Sequence, residues 1–289
     1  MSDLAPFLTR LVPHLAEVSG VAGIVLGGSR ARGTAIEMSD YDIGLYYCRD
    51  EALDTEHLLA TVRDLVDDPD AAAVTAVGEW GPRIVGGGWL RIQGRKVDLL
   101  YRSVDDVRAV IAECCEGRIS MAYQPGHPHG FCSAIWMGEV ALCRPLHDPQ
   151  GTIAALKAAT LAYPDALRSA LIRTFLWEVP FSIDNAQLAI PRRDRAHIAG
   201  CFYRALGCIG QVLFALNRRY LINEKGALIE AAGFPDTIEG LAERVDAVWG
   251  ALGTSEFMPA LDILRALDEE LRGLVRIALG SRLDQDGCV

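Results

Sequence analysis

Gly27, Gly28 and Ser29 stand together between two apolar runs, and Asp40 and Asp42 follow a few residues later, two apart. A third carboxylate, Asp98, interrupts the apolar run Val97-Asp98-Leu99-Leu100-Tyr101. Adjacent glycines let a backbone turn with no Cβ in the way, so amide N–H groups and the Ser29 hydroxyl can approach an anion closely. Carboxylates two apart in a strand point to one face and repel each other unless a cation sits between them. Oxygen ligands of that kind suit Mg²⁺, which takes one or two protein carboxylates, keeps several waters and completes its shell with phosphate oxygens. An Asp in an apolar strand is costly to bury. It becomes sensible where Asp98 meets Asp40 and Asp42 from an adjacent strand, because three carboxylates can hold two ions that clamp an in-line displacement.

The elements that must position these residues follow from periodicity. Val21–Leu26 is a short β-branched and aliphatic run that reads as a buried strand, stopped by Gly27 and Gly28. Ser39–Tyr47 reads as a second strand. Leu4, Phe7, Leu8, Leu11 and Leu15 predict an amphipathic helix over Asp3–Glu17, and Leu53, Leu58, Leu59, Val62 and Leu65 another over Glu51–Val66. Ala72–Val77 is a candidate strand. Ile84–Ile92 and Lys96–Tyr101 predict a hairpin about Gln93-Gly94, with Asp98 on the face opposite Val97 and Leu99. A helix over Ser103–Cys115 and a strand at Val140–Cys143 complete this half. His127 and His129 lie in a Gly- and Pro-rich loop with no third ligand at a recognisable spacing, which favours a turn. Beyond Thr152 the pattern is almost wholly helical, over Thr152–Trp177, Arg192–Asn217, Pro235–Gly250 and Glu256–Leu279. The Cys201–Leu216 stretch is apolar nearly all round, as a central helix would be.

With 289 residues, 51% of them hydrophobic, the chain can bury a full core. Its net charge of −10 and lack of a basic track argue against a nucleic-acid substrate. An acidic surface could attract a cationic acceptor, and it is equally ordinary for a soluble protein. The eight cysteines show no paired C-x-x-C spacing, which fits reduced thiols better than a disulfide framework or a zinc site. No signal peptide is apparent and no apolar stretch reads as membrane-spanning, so a cytoplasmic location is expected.

Gly27-Gly28-Ser29, Ala31-Arg32-Gly33 and Ser39-Asp40-Tyr41-Asp42 resemble the signature of the DNA polymerase β-like nucleotidyltransferase superfamily, and within it the small-molecule and antibiotic (aminoglycoside-type) nucleotidyltransferases. The resemblance is specific over about the first hundred residues. It implies an α+β fold: a mixed β-sheet catalytic domain with flanking helices over residues 1–150, closed by the Leu146–Gly151 turn, then an all-α helical bundle over 151–289. It also implies binding of a nucleoside triphosphate, expected to be ATP, with two Mg²⁺ ions at Asp40, Asp42 and Asp98. A nucleotidyl group would then move to a hydroxyl.

On the same resemblance, Gly27, Gly28 and Ser29 would bind the nucleotide. Arg32 would contact a phosphate or fix the strand ends through a carboxylate. Lys225, close to Arg218 and Arg219, is the candidate from the helical half for the triphosphate, against a helix C-terminal role favoured by the dipole. Glu79 competes with Asp98 as the general base, against a solvent-facing loop role. Asp194 in the Arg192–His197 cluster suits a helix N-terminus, and Glu178 and Asp184 are acidic residues that a cationic acceptor could use. The expected partners are a nucleoside triphosphate and a hydroxyl-bearing small molecule; a protein acceptor, as in toxin-regulating transferases, and a non-catalytic nucleotide-binding regulator are the alternatives.

Overall fold

A computed structural model describes residues 6–280 of the chain. The chain divides into two compact units, one running to Cys114 and resuming over Ser120–Ala162, the other made of Cys115–Ile119 and the chain from Tyr163 onward.

The first unit begins with α1 (Pro6–Ala16), which buries Phe7, Leu8, Leu11 and Leu15 on one face. The remainder of the helix expected from Asp3, namely Asp3–Ala5, lies outside the described residues. β1 (Gly23–Leu26) then leads into α2 (Gly28–Arg32), which ends at Gly33 in the left-handed conformation. β2 (Tyr41–Tyr47) follows, and α3 (Thr55–Arg63) starts where the Asp54 carboxylate accepts the His57 N–H. β3 (Gly87–Ile92) and β4 (Arg95–Ser103) form the expected hairpin. Its turn is held by Asp67, whose carboxylate accepts the N–H groups of Gln93 at 2.6 Å and Gly94 at 2.7 Å. Next come α4 (Val104–Cys115), the short pair β5 (Met121–Ala122) and β6 (Phe131–Cys132), α5 (Ala134–Leu142), β7 (Arg144–His147) and α6 (Thr152–Ala158).

Five of these strands make one sheet in the order β3-β4-β2-β1-β7. The β2–β4 pair is parallel and the other pairs are antiparallel, so the sheet is mixed. Alternation sorts its two faces. Tyr41, Ile43, Leu45 and Tyr47 of β2 and Val97, Leu99 and Tyr101 of β4 bury against Phe7, Leu8, Leu11, Leu15, Leu58 and Val62 of α1 and α3. Each such large apolar side chain, fully buried, stabilises the fold by about 1.5–3 kcal/mol. The opposite face carries Asp42, Gly44 and Tyr46 beside Asp98, Leu100 and Arg102. Over its far end lies α5, whose Glu139 receives Arg102 through two hydrogen bonds of 2.8 Å.

Three expectations are corrected. Val140–Cys143 is not a strand: Ala134–Leu142 is helical, and the strand comes at Arg144–His147. α5 is buried nearly all round and so has no periodic polar face, whereas β7 is an edge strand that tolerates Arg144 and Pro145. Ala72–Val77 contributes only an isolated bridge between Val74 and Gly88. The first unit also runs past residue 150 to take in α6, where Ile153 and Leu156 are buried. Lys157 Nζ there donates to the carbonyls of Val140, Ala141 and Cys143 at 2.8–3.1 Å, satisfying the end of α5.

The second unit is helical: α7 (Asp165–Leu176), α8 (Glu178–Ala189), α9 (Arg195–Leu216), α10 (Ala227–Ala232), α11 (Leu241–Thr254) and α12 (Phe257–Leu279). Pro164 separates α6 from α7, so the helical pattern over Thr152–Trp177 forms two helices. The central element is α9, capped by Asp194, whose side chain accepts the His197 N–H. By length and composition α9 is apolar enough to cross a membrane, contrary to the reading of the sequence, but 67% of its apolar window is buried within the protein. It is the core helix of the bundle.

Candidate active site

The β1–α2 turn and the start of β2 meet at Gly27, Gly28 and Asp42. Gly27 donates its N–H to the Asp42 carbonyl at 2.7 Å, which continues the β1–β2 ladder past the last paired residue, Leu26. The Gly27 N–H is thus used in the sheet, and the amides of Gly28, Ser29 and Arg30 open α2, where a helix supplies no acceptor. Gly28 has φ +58°, and a Cβ built on it would stand 1.8 Å from Asp42 Oδ2. Only glycine lets the turn and the carboxylate share this space.

Asp42 and Asp98 are direct register partners on the parallel strands β2 and β4. Partners in register point to the same face on strands about 4.8 Å apart, so the sheet sets the two half-buried carboxylates side by side. Asp40 lies one residue before β2, and its Oδ1 is 4.0 Å from Lys96 Nζ. Lys96 shares the Asp98 face of β4, a neighbour that the spacing of the acidic residues did not reveal.

Arg30 fastens the segment that presents Asp40. Its guanidinium donates to the carbonyls of Ser39 and Asp40 and to that of Glu37, and it lies 3.8 Å above the Tyr41 ring. Farther along the same face Arg102, only 2% exposed, pairs with the partly buried Glu139. Burial works against its charge, but Glu139 above all, then Tyr46 and Asp42, hold the guanidinium protonated with a pKa above its ordinary value. Arg102 therefore adds a fixed positive charge to the face that carries Asp42. Tyr46, fully buried beside Glu139, is pushed far above the usual phenol range by desolvation and stays neutral.

The donor set fits a divalent cation in the coarse sense. Two carboxylates in register beside a turn without a Cβ offer the one or two protein ligands that Mg²⁺ takes along with phosphate oxygens and water. Among the described residues no group of three or more His, Cys, Asp or Glu side chains stands as a ready-made metal site.

With this geometry in view, the comparisons bear on the turn and the first two carboxylates. Residues 8–76 match the nucleotidyltransferase domain. The matched stretch holds Gly27, Gly28, Ser29, Arg32, Asp40 and Asp42 and stops short of Asp98. It supports placement in the nucleotidyltransferase superfamily, whose domains include non-catalytic ones. Residues 137–225 match a domain of unknown function, DUF4037. A crystal structure of a nucleotidyltransferase-like protein from Exiguobacterium sibiricum aligns over 93% of this chain and 74% of that one, at 12% identity and a TM-score of 0.41. No curated protein matches the chain.

The remaining candidates sort by position. Within the nucleotidyltransferase domain Arg32 closes α2, beside the carboxylate turn. Glu79 accepts the Ala76 N–H at 3.2 Å, a loop contact. In the second unit, Arg218 pairs with Asp165 and Arg219 lies over the Phe234 ring. Lys225 stands just before α10 and well beyond Asn217, the end of α9, so it caps no helix C-terminus. Glu178 is paired with Arg204, and Asp184 lines a cavity of about 410 Å³ with Asp268, Arg265 and Arg272.

Proposed function

We propose that this chain transfers a nucleotidyl group, AMP from ATP, to a hydroxyl of a small molecule and releases pyrophosphate. The observation that carries the reading is the register pairing of Asp42 with Asp98 directly beside the Gly27–Gly28 turn. The amides of Gly28 and Ser29, with the Ser29 hydroxyl, hold the triphosphate tail. Arg32, at the end of α2, adds positive charge to it. Asp40 and Asp42, with Asp98, are the residues that would hold Mg²⁺, whose contribution when bound is to neutralise charge on the phosphate oxygens.

Asp98 receives the proton of the acceptor hydroxyl as its oxygen bonds to the α-phosphorus and the bond to the pyrophosphate oxygen breaks. No covalent enzyme intermediate is needed, so the protein works by positioning and charge. The transfer resides in the first unit, which carries the sheet and the Gly27–Gly28 turn.

Incubation with ATP, Mg²⁺ and a panel of hydroxyl compounds tests this, with mass spectrometry of the acceptor. An acceptor gaining the mass of AMP less water, with equimolar pyrophosphate, supports it. AMP found on the protein itself, or ATP binding with no product from any acceptor, contradicts it and favours protein modification or a non-catalytic regulator.

A further inference from the structure

Trp89 is 67% exposed in the middle of β3, an unusual place to leave an indole in water. Its register partner across the antiparallel β3–β4 pair is Asp98, which in turn pairs with Asp42. Trp89, Asp98 and Asp42 therefore form a row on one face across three adjacent strands. Trp80 stacks on Trp89, with ring centroids 4.5 Å apart and planes within 21°.

The pair is built, not incidental. A Cβ at Gly87 would lie 1.9 Å from the Leu99 carbonyl oxygen and 2.8 Å from Trp80 Cζ3, so glycine two residues before Trp89 serves the strand pairing first and also leaves room for the second indole. The loop carrying Trp80 is pinned by Gln124, only 2% exposed. Gln124 Nε2 donates to the Trp80 carbonyl at 3.0 Å, and its Oε1 accepts the N–H groups of Arg83 and Ile84. A buried amide with both ends satisfied thus holds two partly exposed aromatic rings still, the preorganisation expected of a binding surface.

Strand order says which reactant the rings meet. The cradle turn leaves β1, and β1 and β3 lie on opposite sides of the β2–β4 pair that carries the carboxylates. In an in-line displacement the attacking and leaving oxygens lie on opposite sides of phosphorus. With pyrophosphate on the β1 side, the hydroxyl enters from the β3 side, over Trp89. We infer that Trp80 and Trp89 are the acceptor subsite, and that the acceptor is a hydroxyl-bearing sugar or cyclitol ring whose C–H face lies on the indoles with one hydroxyl beside Asp98. This assignment rests on the nucleotidyltransferase reading of the carboxylates.

The test uses the full chain with kanamycin A, methyl α-D-glucopyranoside and myo-inositol as ring probes and mannitol as an acyclic polyol. Trp89→Ala and Trp80→Ala should each raise KM for a ring acceptor about 10-fold, the loss of one stacking contact, with kcat and KM for ATP within about 2-fold. Trp89→Phe should restore most of the loss. A rise in KM for ATP with the acceptor's unchanged would overturn the assignment, because the indoles would then hold the base. Equal use of mannitol and the ring probes would overturn it also. If the wild type turns over none of them, indole fluorescence titration decides the subsite separately. Saturable quenching by a ring probe, lost in Trp89→Ala, upholds it; no binding by any ring probe overturns it.

Discussion

Gly28 and Asp42 occupy one another's space: a methyl group on the glycine would fall 1.8 Å from Asp42 Oδ2. The turn and the carboxylate are a single device, so Gly28→Ala must displace Asp42 or unwind the turn. Transfer is expected to fall by about 10²-fold or more, the size of losing one transition-state contact, and stability by about 1–3 kcal/mol from the positive φ and the clash. Gly33→Ala provides the comparison, since Gly33 has φ +74° with nothing within 4 Å of its Cβ. It should cost about 1 kcal/mol of backbone strain and leave turnover nearly intact. Thermal unfolding and pyrophosphate release on both variants check this.

Arg30 holds Asp40 by its backbone and covers Tyr41 with its plane. Arg30→Lys keeps the charge but loses the fork and the flat stack. Both Arg30→Lys and Arg30→Ala should shift the Mg²⁺ dependence of transfer to higher concentration, by about 10-fold for alanine, with Tyr41 still buried. A magnesium titration of activity reads the shift directly, and an unchanged midpoint would remove Arg30 from the site.

Arg102 is buried and its partner Glu139 partly so, and removing the carboxylate strands the guanidinium. Glu139→Ala should destabilise the first unit by about 3–5 kcal/mol, while Arg102→Met with Glu139→Leu should recover most of that loss. Chemical denaturation of the two variants separates the cases. A small effect in Glu139→Ala would mean that water reaches the guanidinium.

Burial pushes the Cys132 and Cys143 thiols up to about 11, whereas Cys115 is exposed. Only the thiolate reacts, so iodoacetamide at pH 8 should label Cys115 well before Cys132 and Cys143 in the folded protein. Peptide mass spectrometry after timed quenching measures the order.

Much of this site was legible because its signals are local. Gly27-Gly28-Ser29 and Asp40-x-Asp42 lie within one strand-turn-strand stretch, and alternation placed Asp98 on the proper face of β4. What escaped depends on contacts between distant residues. Nothing near Arg102 announces Glu139, nor does Trp80 announce Trp89, nor Gln124 the loop it pins 40 residues earlier. Lys96 was in plain view but became meaningful only when the β4 register set it near Asp40. The apolar Ala134–Leu142 segment misled because a helix buried on all sides carries no period to distinguish it from a strand.

The most direct test of the account is Asp42→Asn, which keeps the shape of the side chain and removes its charge. Pyrophosphate release from ATP and Mg²⁺ in the presence of an acceptor should fall by at least about 10³-fold, with the thermal unfolding midpoint unchanged or raised. A folded Asp42→Asn protein that transfers AMP at the wild-type rate would contradict the assignment of this site.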